Sequence, residues 1–132
     1  MAITPVVRYM LVCDDWRVNP ANSREFTIVG LISNIRSLED PPYPLYRQEI
    51  CVFLVLTEGR GQGQGKIVCT FDVGRQKVFE TPPMPISFGR DPLEIAGVSF
   101  RIRDCTFPQP GLYSLAFWYD GALVHEQSIR MR

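Results

Sequence analysis

His125 is the only histidine in the chain, and Cys13, Cys51, Cys69 and Cys105 are its only thiols. A cysteine or serine meeting a histidine in space can carry nucleophilic catalysis, and the partners need not be close in sequence. Here no nucleophile elbow and no paired-carboxylate motif accompanies them, and His125 lies beside Glu126 in what reads as the last strand. The expectation is a protein that is not an enzyme, with a hydrolase-type site around His125 as the alternative. A metal site built on several histidines is excluded by the count of one. Tetrahedral zinc sites draw ligands in close pairs, and no two of the four cysteines have a CxxC spacing. No metal and no cofactor is therefore expected. Three of the cysteines alternate with apolar residues, where a free thiol behaves as a small hydrophobe. A reducing compartment keeps them as thiols, whereas an oxidising one would reopen the question of disulfides.

The run Gly59-Arg60-Gly61-Gln62-Gly63-Gln64-Gly65 suggests phosphate binding, but its details do not. A P-loop needs Gly, four residues, then Gly-Lys-Ser/Thr; Gly65-Lys66 is followed by Ile67, and the residue five before Gly65 is Arg60. The dinucleotide form fails as well, because its last glycine would fall on Gln64. The run also joins two predicted strands, with no helix N-terminus to hold a phosphate. It reads as a mobile hairpin tip. Asp14-Asp15 closes the first strand, the other aspartates are scattered singly, and nothing matches a calcium loop. The pair is expected to cap local backbone donors. Arg101 and Arg103 share a strand face, with Arg130 on the last strand and Arg36 on the second. These four form a candidate anion patch, set against the ordinary role of arginines as a solvated, edge-protecting face.

The elements that must position these residues are strands. Val6–Asp14 alternates Val7, Tyr9, Leu11 and Cys13 on one face. After the turn cluster Asn19–Ser23 comes a strand over Phe26–Arg36, where Gly30 predicts a bulge or a close backbone approach. Asp40-Pro41-Pro42-Tyr43-Pro44 is an extended crossover. Gln48–Glu58, Lys66–Val73, a short edge strand at Val78-Phe79, Leu93–Arg103, Leu112–Tyr119 and Leu123–Met131 follow, with a second proline-rich crossing at Thr81–Pro85 and a type I′ hairpin signal at Asp120-Gly121. No segment of helical length has a 3.6-residue period. The fold class is all-β: an antiparallel immunoglobulin-like or Greek-key β-sandwich of seven to nine strands with little or no helix, in one domain over residues 1–132. Pro110-Gly111-Leu112-Tyr113 predicts a tyrosine corner, with the Tyr113 hydroxyl on backbone a few residues upstream.

Two strands are apolar on both faces. In Ile50–Leu56, Ile50, Val52, Leu54 and Leu56 are assigned inward and Cys51, Phe53 and Val55 outward; in Leu112–Tyr119, Tyr113, Leu115, Phe117 and Tyr119 point inward and Ala116 and Trp118 outward. A second apolar face needs a cover, either a loop or a partner. With 45% hydrophobic and 21% charged residues, a chain of 132 residues can bury a core unaided. Lys plus Arg equals Asp plus Glu at 14 each, so no long-range field attracts nucleic acid or an anionic membrane, and neither partner is expected. No apolar run approaches the ~20 residues that span a bilayer, and Arg8 interrupts the only stretch that could serve as a signal peptide. The expected localisation is cytoplasmic.

Arg8-Tyr9, Cys13-Asp14-Asp15, Gly30-Leu31, Ile35-Arg36-Ser37, Phe100-Arg101-Ile102-Arg103 and Phe107-Pro108-Gln109-Pro110-Gly111-Leu112-Tyr113 together resemble a family of small uncharacterised bacterial single-domain proteins. The resemblance covers nearly the whole chain. It implies a stand-alone bacterial domain and carries no catalytic residues to transfer. The expected function is a non-enzymatic interaction module that self-associates or docks a protein partner through an apolar sheet face bearing Cys51, Phe53, Val55, Ala116 and Trp118. The alternative is a small-molecule binder with a pocket under the proline-rich crossings, lined by Tyr43, Tyr46 and Trp118; its ligand is not identified by the sequence.

Overall fold

Alternation of apolar and polar residues, broken by proline and glycine turns, leaves this chain few options but strands. The computed structural model describes residues 3–36, 40–91, 93 and 95–132. Among the described residues ten strands form: β1 (Val6–Asn19), β2 (Asn22–Leu31), β3 (Asn34–Ile35), β4 (Leu45–Thr57), β5 (Gln62–Phe71), β6 (Gln76–Glu80), β7 (Met84–Ser87), β8 (Ala96–Phe107), β9 (Gly111–Tyr119) and β10 (Ala122–Met131). Among the described residues the one helical element is a 3₁₀ turn at Val73–Arg75. One sheet has the order β2-β1-β4-β8; the other runs β3-β10-β9-β5-β6, with β7 also paired to β5. All pairs are antiparallel except β3 on β10. The expected all-β sandwich is what forms. Two short strands, β3 and β7, take the count past seven to nine. The predicted strand start at Leu93 falls where residues 92 and 94 lie outside the described residues; β8 begins at Ala96.

The core lies between the sheets. Ile50, Val52, Leu54 and Leu56 of β4 meet Tyr113, Leu115, Phe117 and Tyr119 of β9, all at most 1% exposed, so both inward assignments hold. Removing this much apolar side chain from water is the main favourable term in the fold. The tyrosine corner forms as expected: the Tyr113 hydroxyl donates to the Gln109 carbonyl at 2.6 Å and accepts from the Gln109 N–H at 3.3 Å. Asp120 (φ 49°) and Gly121 (φ 80°) make the β9–β10 turn with both φ positive, the requirement of type I′. Gly30 (φ 66°) is pressed against the Asp14 side chain, the close approach that its place inside a strand suggested.

The glycine run departs from expectation. β4 and β5 lie in different sheets, so residues 59–65 make a crossing rather than a hairpin tip, and Gln62–Gly65 is already strand. Gly63 is buried because the Tyr119 ring occupies the space where its Cβ would be. The missing side chain is filled by a neighbour, which ties this stretch to the core. The first proline crossing, read as extended, belongs to a β3–β4 link that lies partly outside the described residues; its described part precedes β4, with the Tyr43 hydroxyl donating to the Arg132 carbonyl at 2.6 Å.

Candidate functional site

The outer face of the first sheet carries Tyr9, Leu11 and Cys13 of β1 opposite Val55, Phe53 and Cys51 of β4. β1 pairs with β4 only as far as Cys13 and continues to Asn19 against β2 alone. Freed from β4, this arm curls over the outer face. Trp16 and Phe26 from the arm pack on Phe53, with ring centroids 5.3 and 5.1 Å away. Phe26 reaches as far as β8, where Gly97 leaves room for its ring: a Cβ there would lie 2.9 Å from it. Charged clamps hold the arm down. Arg101 of β8 donates to Asp15 at 2.8 Å and to Glu49 at 3.2 Å, and Arg47 donates to Asp14 at 2.7 Å. The Arg101 guanidinium, with the Trp16 backbone N–H, lowers the Asp15 carboxyl below its ordinary value. Asp14 and Asp15 are thus mainly ion-pair partners, though Asp15 also accepts from the Trp16 N–H at 2.8 Å as expected of a strand-end cap.

The cover over Cys51 and Phe53 of β4 is therefore the chain's own β1–β2 hairpin rather than a loop lid. Cys51 and Phe53, at 0% and 2% exposure, are sealed beneath it. The five residues proposed as one interface do not share a surface: Val55 is half-buried beside them, while Ala116 and Trp118 sit half-buried on the outer face of the other sheet. The four arginines also separate. Arg101 is paired with two carboxylates; Arg103 is exposed and in no ion pair among the described residues; Arg36 and Arg130 lie at the β3–β10 edge of the second sheet. His125 is half-buried on β10, with no hydrogen-bonded acid or thiol among the described residues. Burial pushes the Cys51 and Cys69 thiols up to about 12 and Cys105 to about 11, and raises Cys13, so none is a ready thiolate at neutral pH.

Two of the concave surfaces among the described residues have apolar linings. One, of about 470 Å³, runs between the Phe79–Pro85 crossing and the edge of β8, with Phe79, Met84, Phe100 and Ile102 as its apolar lining and Arg103 at its rim. A pocket under a proline-rich crossing was expected, but Tyr43, Tyr46 and Trp118 do not line this one. The Tyr46 hydroxyl instead donates to Asp104. The other, of about 300 Å³, is bounded by Arg8, Tyr9, Val55, Glu58, Leu93 and Ile95. Sequence reasoning passed over Tyr9, Leu93 and Ile95, whose exposures are 64%, 80% and 63%. Tyr9 shares the alternation of Cys13, and only the length of the covering arm separates a buried residue from an exposed one on that face.

Fold and surface together define an all-β sandwich domain with two recessed apolar surfaces. The chain belongs to the family of unknown function DUF6941, which matches residues 8–132. No curated protein matches the sequence. Among solved structures the fold is similar to that of the Pseudomonas fluorescens alkylpurine DNA glycosylase AlkC bound to DNA containing an abasic site analog, with TM-score 0.55 and 10% identity over 97% of this chain and 30% of that one. At that identity the likeness is one of fold, and this chain corresponds to under a third of the glycosylase. It nevertheless overturns the expectation of no nucleic-acid partner, since a sandwich of this shape occurs in a DNA-bound protein. Net charge is an average over the whole surface and does not exclude a local basic cluster. Among the described residues no helix is long and apolar enough to cross a membrane.

Proposed function

We propose that the chain is a non-enzymatic interaction module that pairs with a second copy through the open end of its outer sheet face. The observation that carries this reading is the exposed apolar group of Tyr9, Leu93 and Ile95 around half-buried Val55. Contiguous exposed apolar surface of this kind marks association sites. A second copy fits because a two-fold interface must be self-complementary, and this patch carries one cation, Arg8, and one anion, Glu58, at its rim. A two-fold axis between them would set each Arg8 against the partner's Glu58. Zero formal net charge removes general repulsion between copies. A reducing cytoplasm fits the reading, because all four thiols are buried and unpaired.

Light scattering on size-exclusion fractions tests it. The wild type should run as a dimer and Tyr9→Asp and Ile95→Asp as folded monomers. A wild type that stays monomeric at millimolar concentration refutes the proposal.

A second reading, contact with nucleic acid, is favoured by one cluster. Ile35 and Met131 turn into the core, so Arg36, Arg130 and Arg132 are exposed together at the β3–β10 edge, none in an ion pair among the described residues. Guanidiniums in such a row suit phosphates. Fluorescence anisotropy with labelled duplex and single-stranded oligonucleotides should show binding that weakens steeply with salt and is lost in Arg36→Ser/Arg130→Ser. Binding unchanged in that variant would count against this edge.

A further inference from the structure

The groove beside β8 is shaped by an unfinished sheet. β8 pairs with β4 and, among the described residues, with no other strand, so its second backbone edge is open. Across the groove stand Pro82, Pro83 and Pro85, which have no N–H to offer. That wall cannot complete a ladder with β8, and the sandwich stays open along this side.

Five consecutive β8 residues, Ser99 to Arg103, line the groove. Phe100 and Ile102 point into the core, while Ser99, Arg101 and Arg103 stand opposite the outward Phe53, Cys51 and Glu49 of β4. Only a groove lying along the strand's edge touches residues of both faces. Its lining is therefore about 17 Å long, with backbone donors and acceptors presented by every second residue. This suits an elongated chain with its own ladder groups better than a compact small molecule.

The charges at the rim select the occupant further. Arg103 lies opposite Glu49 in register, but the Glu49 carboxylate is taken by Arg101 at 3.2 Å. Glu80, on the far wall, is held by Lys66 at 2.7 Å and Lys77 at 3.2 Å. The one charge left without a partner in the lining, among the described residues, is the Arg103 guanidinium. Edge strands commonly carry such a charge to repel pairing. A single cation repels a basic or apolar strand but admits one that sets an acid against it.

We propose that this groove takes an extended segment of a partner polypeptide, which adds to β8 as a fifth strand of the first sheet, places an apolar side chain against Phe79 and Met84, and sets a carboxylate on Arg103. This is strand addition, in which main-chain hydrogen bonds supply affinity and alternate side chains supply specificity. The site is separate from the Tyr9 patch and does not depend on the pairing of two copies.

The test is selection of random dodecapeptides on the immobilised full chain, followed by anisotropy titration and amide hydrogen exchange by NMR. Selected peptides should alternate apolar residues and share an acidic position, and binding should slow exchange at amides within Ser99–Arg103. Arg103→Glu, at an exposed position, should keep the wild-type melting temperature, weaken those peptides by about tenfold or more (~1.4 kcal/mol) and shift selection to basic ones. Any of four results overturns the proposal: no peptide consensus, protection elsewhere than Ser99–Arg103, the same amides protected in a concentration-dependent way without peptide (a second copy on the edge), or displacement of the peptides by a single-stranded oligonucleotide that binds more tightly.

Discussion

Replacing Phe53 by alanine removes the ring on which the β1–β2 arm rests. Phe53 is 2% exposed and touches both Trp16 and Phe26 within ordinary aromatic pairing distance. Truncating a buried phenylalanine costs about 3–5 kcal/mol, depending on how far the site can collapse. Here collapse is possible, because Trp16, Phe26 and Val55 are themselves only half-buried. The lower end, ~3 kcal/mol, is therefore expected, equivalent to a fall in Tm of roughly 10 °C for a chain of this size. Trp118→Ala provides the contrast: Trp118 is half-buried on the outer face of the other sheet, and its truncation should cost less than ~1 kcal/mol. Urea denaturation of both variants measures the difference. In a Trp118→Phe background, emission from Trp16 alone should shift to the red when Phe53 is truncated, as the arm loosens and water reaches the indole. Equal costs for the two truncations, or a Phe53→Ala cost below ~1 kcal/mol with unchanged Trp16 emission, would refute the idea that this chain covers β4 with its own hairpin.

Tyr113→Phe removes the hydroxyl that serves Gln109 while leaving the ring in the core, and should destabilise by about 1–2 kcal/mol in the same assay without changing the fold. Asp15 has a folded value lowered from 3.8 by Arg101, so its stabilisation is complete above 3.8 and disappears as pH falls through the lower folded value; Asp15→Asn should accordingly be less stable than wild type at neutral pH and lose less stability on acidification below 3.8. The four buried thiols should resist a thiol-specific disulfide reagent at pH 8 in the native protein and all react in denaturant; fast native labelling of Cys51 would contradict the closed arm.

Much of the fold was legible because its causes are local. Alternation marks a strand with one face in the core, so the inward sets on β4 and β9 followed from residue types alone. Asp120-Gly121 and the Pro-Gly-Leu-Tyr step carry their own backbone requirements within a few residues. The glycine run misled because its open-chain flexibility is a local property, while its place under Tyr119 is a property of two strands 56 residues apart, as the Gln64 N–H to Asp120 carboxylate bond spans.

The candidate surfaces were less legible. That Ile50–Leu56 needed a second cover could be read from its composition. Which group supplies it could not, because it depends on where β1 parts from β4 and on Arg101 meeting Asp15 across 86 positions of sequence. The same geometry buries Phe53 and Cys51 of β4 and leaves Tyr9, with the same facing on the neighbouring β1, in the open. The amino-acid sequence by itself determined most of the strands, the facing of β4 and β9 and the demand for a cover, since these follow from side-chain period and turn chemistry; it did not show that the run Phe26–Arg36 divides between the two sheets as β2 and β3. Only the tertiary structure decided that the cover is the chain's own arm, that the arginines separate, and that β8 is left with a free edge. Each of those depends on which distant strands become neighbours, and no short-range pattern encodes that.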